Sequence, residues 1–369
     1  MTAWAQDIGK IESKRQNDVT AQLIHAARKS GRSPFAIAFD FLKLRKRRGK
    51  LKLYEYMLYE LYDTKSWTEE DRGRFIAAHM HWFVTHTCNN REWWAVTEDK
   101  WLSSVYLKQN GVPIPENIAV FNRGAQLYPD VPKLQNAQDL KTFFATCKTY
   151  PLFAKPIGGM WSAGAMRILS HTQTHVLLDG GDAVTYEDLA DTVFADQPYL
   201  FQACLKPHGF FDGITDATAT VRCVNIIPDS GLKVPFTLLK LPMNGNIADN
   251  FWRPGNVLCD LDPDTGEIRT IVTSQNGRRT PLDALPGSTR PFIGERLPFW
   301  QELKELNERV ALLHAANRYG STDIALTEDG PVIVEVNTGC AFELMQIATG
   351  KGLLTDEMTA FFRGCGVDL

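Results

Sequence analysis

Residues 321–337, Ser-Thr-Asp-Ile-Ala-Leu-Thr-Glu-Asp-Gly-Pro-Val-Ile-Val-Glu-Val-Asn, constrain this chain more than any other stretch, because they read as two short strands around a turn. Such a hairpin delivers Asp323, Glu335 and Asn337 to one place. Side chains two apart in a strand share a face, so Glu335 and Asn337 are expected to project together while Val334 and Val336 face the core. Three oxygen donors with no soft atom among them suit Mg2+, a hard cation that keeps some waters and usually shares its shell with phosphates. A hairpin ending in acidic residues is also a common solvated turn, and the rest of the chain has to discriminate.

With 369 residues the chain is long enough for two or three subdomains. A net charge of -3 and 22% charged residues fit neither a disordered chain nor a basic nucleic-acid binder, so electrostatic work must be local. The seven cysteines are scattered without a CxxC pair, which points to reduced thiols and away from a disulfide framework or zinc. No apolar run approaches a membrane span, and Met1-Thr-Ala-Trp-Ala-Gln-Asp lacks the basic and apolar regions of a signal peptide. A cytoplasmic protein is expected, with nucleic acid an unlikely partner and no transmembrane segment.

Apolar spacing predicts helices at 21–27, 35–44, 54–62 and 70–83, a helical amino-terminal region. Within it, Lys43-Leu-Arg-Lys-Arg-Arg-Gly-Lys-Leu-Lys52 carries seven basic residues, a run suited to an anionic carbohydrate, nucleic acid or membrane surface, or simply to a solvated helix end. His79, His81 and His86 are read as structural, since an HxH pair on a helix points in different directions. From Thr97 the texture changes: helix 99–108, Asn110-Gly111, strand 117–121, helix 139–148, strand 150–155, a glycine-bearing loop, and strand 165–169. Strands follow at 199–205, 219–227 and 236–241, with turns at 228–231 and 262–266, and a helix over 299–319 leads into the hairpin.

Lys155 ends a strand and precedes Pro156-Ile-Gly-Gly-Met-Trp-Ser-Ala-Gly164, where Gly158, Gly159 and Gly164 let backbone N–H groups approach an anion. A P-loop is excluded, because the lysine comes before the glycines and a strand follows. A tight hairpin with a surface lysine is the plain alternative.

Taken in order, Asp99-Lys100 before Gly-Val-Pro-Ile-Pro, Lys155 with its loop, Gln202 to Leu205, Arg222, and the Asp323/Glu335/Asn337 group resemble the ATP-grasp superfamily over about residues 98–354. Ala-Thr-Val-Arg-Cys-Val, Ile247-Ala-Asp-Asn-Phe-Trp-Arg-Pro-Gly, Asp262-Pro-Asp-Thr-Gly-Glu, Ile333-Val-Glu-Val-Asn and Leu344-Met-Gln346 are similar to its sugar-transfer-associated group. The resemblance implies an α+β ATP-grasp fold, with nucleotide held between two mainly antiparallel sheets beside a helical amino-terminal region. Its subdomains would be 1–96 (helical), 97–148 (the α/β start of the unit), 149–204 (the lid) and 205–369 (the carboxyl-terminal part with the metal site). It implies ATP and Mg2+ as cofactors. Lys155, assisted by Lys100, would hold the phosphates, and the loop with Gly158, Gly159, Ser162 and Gly164 would close over them. Main-chain groups of Gln202, Ala203, Cys204 and Leu205 would meet the adenine edge, Arg222 would steady the γ-phosphate and acyl phosphate, and Asp323, Glu335 and Asn337 would bind the metal. Asp249, Asn250 and Arg253 are candidates for acceptor or carboxylate binding, with Arg253 the strongest by its fork shape, although Asn250 and Arg253 also suit a turn and Arg222 suits a surface salt bridge.

Three departures stand out. Met160 and Trp161 occupy the lid where the family has small residues, Lys206-Pro-His208 stands where relatives carry a ribose-binding carboxylate, and Cys340 stands where proline is common and is read as buried and inert. The activity implied is a carboxylate–amine ligase forming an amide through an acyl phosphate, with small-molecule carboxylate and amine partners. A phosphotransferase acting on a hydroxyl, or a nucleotide-binding regulatory protein, are the alternatives.

Overall fold

The structure, a computed structural model, describes residues 19–160, 162–275 and 278–369. It opens with helices Val19–Ser30, Pro34–Arg45, Leu53–Leu58, Glu69–Gly73 and His81–Cys88. The second starts where Ser33 accepts a hydrogen bond from the Ala36 N–H and Pro34 takes the first position, a pairing that satisfies and pre-shapes a helix start. The continuous helix expected over 70–83 is broken. Phe75, Ile76 and Ala77 are all buried, so that stretch is apolar on every side and runs between helices, with the Ala77 N–H donating to the Gly49 carbonyl and the Ile76 N–H to Gln346.

Two seven-stranded sheets follow. The first contains β1 (Asn117–Phe121), β2 (Lys133–Leu134), β3 (Leu152–Pro156), β4 (Met166–His171), β5 (His175–Leu178), β6 (Ala183–Thr185) and β7 (Tyr199–Ala203), ordered β2-β1-β7-β3-β4-β5-β6. All its pairings are antiparallel except β1 with β2. Helix Ala137–Thr146 and a π-helical turn at Leu189–Phe194 cover one face, burying Leu140, Phe144 and Phe194 against Leu152, Ala154 and Phe201. Alternation along β3 and β7 then sends Lys155, Leu200 and Gln202 to the opposite face, toward helix Lys100–Gln109.

The second sheet contains β8 (Thr220–Ile226), β9 (Lys233–Leu241), β10 (Val257–Leu261), β11 (Ile268–Gln275), β12 (Arg278–Leu282), β13 (Tyr319–Thr327) and β14 (Gly330–Asn337). Its order is β12-β11-β10-β9-β8-β13-β14 and every pairing is antiparallel. The turns expected at 228–231 and 262–266 join β8 to β9 and β10 to β11, while strands β10 to β12 lay outside the sequence reading. Helix Trp300–Leu313 covers one face. The other face packs the amino-terminal helices together with Phe342–Thr349 and Asp356–Gly364: Ile37, Tyr56 and Val84 share a core with Val224, Leu238, Val272 and Phe362. The helical region is therefore a layer of the second sheet rather than a body set apart.

The hairpin departs from simple alternation. Asp323 pairs with Glu335, but the next residue, Ile324, pairs with Ile333, so Val334 is the extra residue of a β-bulge. Ile333 and Val336 reach the core as a result, whereas Val334, expected there, belongs to no apolar cluster and lines the cleft described below.

Candidate functional site

A narrow cleft lies between the two sheets. Lys155 and Gln202 contribute from the first sheet, Val334 and Glu335 from the edge of the second, and Thr97, Lys100 and Ser104 from the segment between. Asp99 fixes the start of helix Lys100–Gln109 by accepting from the N–H groups of Trp101 and Leu102, which places Lys100 in its first turn at the cleft. The Ile333 N–H donates to the Pro113 carbonyl at 2.9 Å and ties the edge strand to the wall.

Charge is concentrated here. Lys100 Nζ lies 3.2 Å from Glu335 Oε1 and also bonds the Gly159 carbonyl, so one lysine joins the second sheet to the glycine loop. Lys155 is 8% exposed, and burial pulls its ammonium down to about 8 against the pull of Glu335, with Lys100 adding repulsion. Burial works against the Glu335 carboxylate too, but Lys100 and Lys155 outweigh it and hold Glu335 below the ordinary glutamate value.

Beside this group lies a network that only the sheet register assembles. Arg222 on β8 lies opposite Asp323 on β13, which lies opposite Glu335 on β14. Arg222 grips Asp323 with two bonds, Nε to Oδ1 at 2.8 Å and a terminal nitrogen to Oδ2 at 2.6 Å. Lys240 Nζ reaches Asp323 Oδ2 at 3.1 Å and Asp249 Oδ2 at 2.9 Å, and Thr220 donates its hydroxyl to Asp249. Burial raises the cost of the Asp323 charge, yet Arg222 and Lys240 hold its carboxyl far below the usual range. Lys240 and Thr220 were missed in the sequence; the available signal was a lone cation in the apolar run Phe236-Thr-Leu-Leu-Lys-Leu.

The glycine loop is anchored on its other side by Arg253, whose guanidinium donates to the Ser162 carbonyl at 3.2 Å. Gly164 sits at a φ of +73°, in the left-handed region, which is where this loop needs a glycine. Asn250 accepts from the Trp252 N–H at 3.0 Å and its carbonyl from the Arg253 N–H, so it organises the turn carrying Arg253. Trp161 lies outside the described residues.

A family model described as sugar-transfer associated ATP-grasp matches residues 82–360. The chain belongs to this ATP-grasp family. No curated protein matches the sequence. Among solved structures, the chain is similar to the VanG D-Ala:D-Ser ligase from Enterococcus faecalis, at 16% identity and a TM-score of 0.40 over 74% of this chain and 62% of that one. It is also similar to D-alanine-D-alanine ligase from Helicobacter pylori, at 12% identity and a TM-score of 0.38 over 74% and 61%. A third is the ATP-grasp ligase PsnB in complex with minimal precursor, Mg and ADP, at 14% identity and a TM-score of 0.36 over 85% and 70%. The chain spans less than two thirds of the length of the first two.

The ATP-grasp hairpin brings Asp323, Glu335 and Asn337 together, with Asn337 Nδ2 3.5 Å from Asp323 Oδ2. In chemistry the donor set fits a hard dication, being two carboxylates and an amide. In the protein alone each carboxylate is already matched by a cation: Asp323 by Arg222 and Lys240, Glu335 by Lys100. Among the described residues no group of three or more His, Cys, Asp or Glu is arranged to hold a metal.

In the segment Gln202 to Leu205, which links the two sheets, the Ala203 N–H donates to the Glu116 carbonyl and the Cys204 N–H to the Pro151 carbonyl. Gln202 donates to Asn117, which donates to Ser104, so a side-chain relay holds the cleft wall. Burial pushes the Cys204 thiol up to about 11, and burial likewise raises Cys340, which is 2% exposed, despite the nearby Arg222. Among the described residues no helix is long and apolar enough to cross a membrane.

Proposed function

We propose that the protein is an ATP-dependent, ADP-forming ligase that joins a small-molecule carboxylate to an amine. The observation that carries this reading is the convergence of Lys155, Lys100 and Glu335 on one cleft between two sheets in a chain of the ATP-grasp family. A carboxylate oxygen attacks the γ-phosphorus and ADP leaves; the amine nitrogen then attacks the acyl carbon, and inorganic phosphate leaves with the bonding pair and takes up the proton that the amine releases. Phosphorylation removes the delocalised charge of the carboxylate and replaces a hopeless leaving group, and no protein nucleophile is required.

The chain's own residues position and neutralise. Lys155 and Lys100 bind the phosphates, with the loop around Gly158 and Gly159 closing over them to exclude water. Lys100 exchanges its bonds to Glu335 and the Gly159 carbonyl for phosphate oxygens. Glu335 and Asn337 would hold Mg2+, with Asp323 joining as its ion pairs open, and the ion would supply charge neutralisation at the phosphates. Arg222, relieved of part of its hold on Asp323, faces the developing acyl phosphate. The amides of Ala203 and Cys204 are engaged in the protein already, so the Leu205 amide is the linker donor for the adenine edge. Arg253 receives a substrate carboxylate, aimed by the Asn250 turn.

The test is ADP release measured against acids and amines, singly and in pairs. Dependence on an acid and an amine together supports the ligase, while release with an alcohol alone identifies a phosphotransferase. Lys155→Ala and Glu335→Ala should each abolish turnover in a folded protein; normal rates in both would remove the site assignment.

A further inference from the structure

Helix Pro34–Arg45 is apolar on both of its sides. Ile37, Phe41 and Leu44 are buried in the core beneath the second sheet. Phe35, Phe39 and Leu42, spaced to share the opposite side, are 89%, 74% and 52% exposed. A helix that is hydrophobic all round is normally enclosed, and one left half in water marks a surface that something covers.

The surroundings of the stripe are cationic. Lys43, Arg45 and Lys46 are exposed at its flanks and end, and Lys50 and Lys52 follow. Burial first, then Lys52, Lys50 and Arg45, depress the His79 imidazole, so these three cations converge in space as well as in sequence. Arg47 is paired at the surface with Glu69, and Arg48 reaches the Leu354 carbonyl. Since the chain carries a net charge of -3, the patch is a local concentration rather than a general basicity.

Charge and apolarity together select the occupant. A second copy seated on the same face would oppose cations with cations. Residues 1–18 hold three acidic and three basic side chains and bring no net countercharge. A single-stranded nucleic acid would pair with the cations and stack on the rings, but Leu42 offers it no π face. An anionic bilayer satisfies both halves, with phosphates at the headgroup level and hydrocarbon beneath. We propose that helix Pro34–Arg45 lies in the plane of an anionic membrane surface, with Phe35, Phe39 and Leu42 below the headgroups and Lys43, Arg45 and Lys46 among the phosphates. This docking surface is independent of the ligase reading.

Co-sedimentation of the full chain with phosphatidylcholine vesicles, with and without phosphatidylglycerol, tests it. The protein should bind only the anionic vesicles and be released by salt. Phe35→Ser with Phe39→Ser, and separately Lys43→Glu with Lys46→Glu, should each weaken binding at least about tenfold. Melting curves matching the unsubstituted protein show that the loss is not unfolding. Failure to bind either vesicle, or binding indifferent to the phenylalanine substitutions, overturns the proposal. A concentration-dependent dimer abolished by the same substitutions would assign the face to a second copy, and capture of single-stranded RNA in place of vesicles would assign it to nucleic acid.

Discussion

Lys155 illustrates how the cleft trades stability for charge. Its ammonium is buried with a proton affinity drawn down to about 8 from an ordinary 10.5, so the folded protein holds this proton less tightly than the unfolded chain does. The unfolded chain therefore binds more protons between those two values, and stability should rise with pH across that window. Lys155→Met should raise stability near neutrality by about 3 kcal/mol, the equivalent of that depression, and abolish ADP release. Urea unfolding at pH 7 and pH 10 checks both: the variant should be the more stable at pH 7, and the rise should be missing from it. Asp323 has the opposite character. Replacing it with Asn strips one buried charge from between Arg222 and Lys240, and should cost about 3–5 kcal/mol in the same measurement. A variant as stable as the parent would show that the network is not held by that carboxylate.

Two elements set how those side chains are presented. The bulge at Val334 lets Ile333 and Val336 reach the core while Val334 and Glu335 stay in the cleft. Deleting Val334 would close the ladder without shifting the partners on either side, since Ile324 already faces Ile333 and Asp323 already faces Glu335. The protein should remain folded by circular dichroism but lose one wall of the cleft, with ATP binding weakened at least about tenfold because cleft geometry sets the placement of the phosphates. Helix Lys100–Gln109 depends on its Asp99 cap. Asp99→Ala should lower stability by about 1 kcal/mol and raise the KM for ATP through fraying of the turn that carries Lys100. An unchanged KM would mean that Lys100 is placed by Gly159 and Glu335 alone.

The amino-terminal helices are part of the second sheet's core, and this decides what can be removed. Val224, Leu238 and Val272 keep only the cover of Phe342–Thr349 and Asp356–Gly364 if residues 19–88 are absent, and the core they share with Ile37, Tyr56 and Val84 is opened. A chain starting at Thr97 should accordingly aggregate or remain unfolded, although the family match itself begins at residue 82. Recovery of a monomeric, cooperatively melting protein from that truncation would show that the helices are an accessory layer.

Much of this molecule was legible in the chain itself. Asp99, Gly111 and the strand 117–121 lie where local rules put them, because a cap, a left-handed glycine and a short branched run act over only a few residues. The order of Lys100, Lys155, Arg222, Asp323 and Glu335 carried the family, and the family carried the expectation of two sheets. Local patterns failed at Phe75-Ile-Ala77, where tertiary burial overrode helical spacing, and at Val334, where the bulge removed the alternation. They could not reveal that Lys240 and Asp249 join Asp323, because those residues are distant in sequence and meet only through the pairing of β8, β9 and β13. The sequence by itself determined which charges the chain owns and where its local caps and glycine turns fall; the register of the second sheet decided which of those charges neutralise one another, since Coulomb attraction depends on separations that only the folded backbone sets.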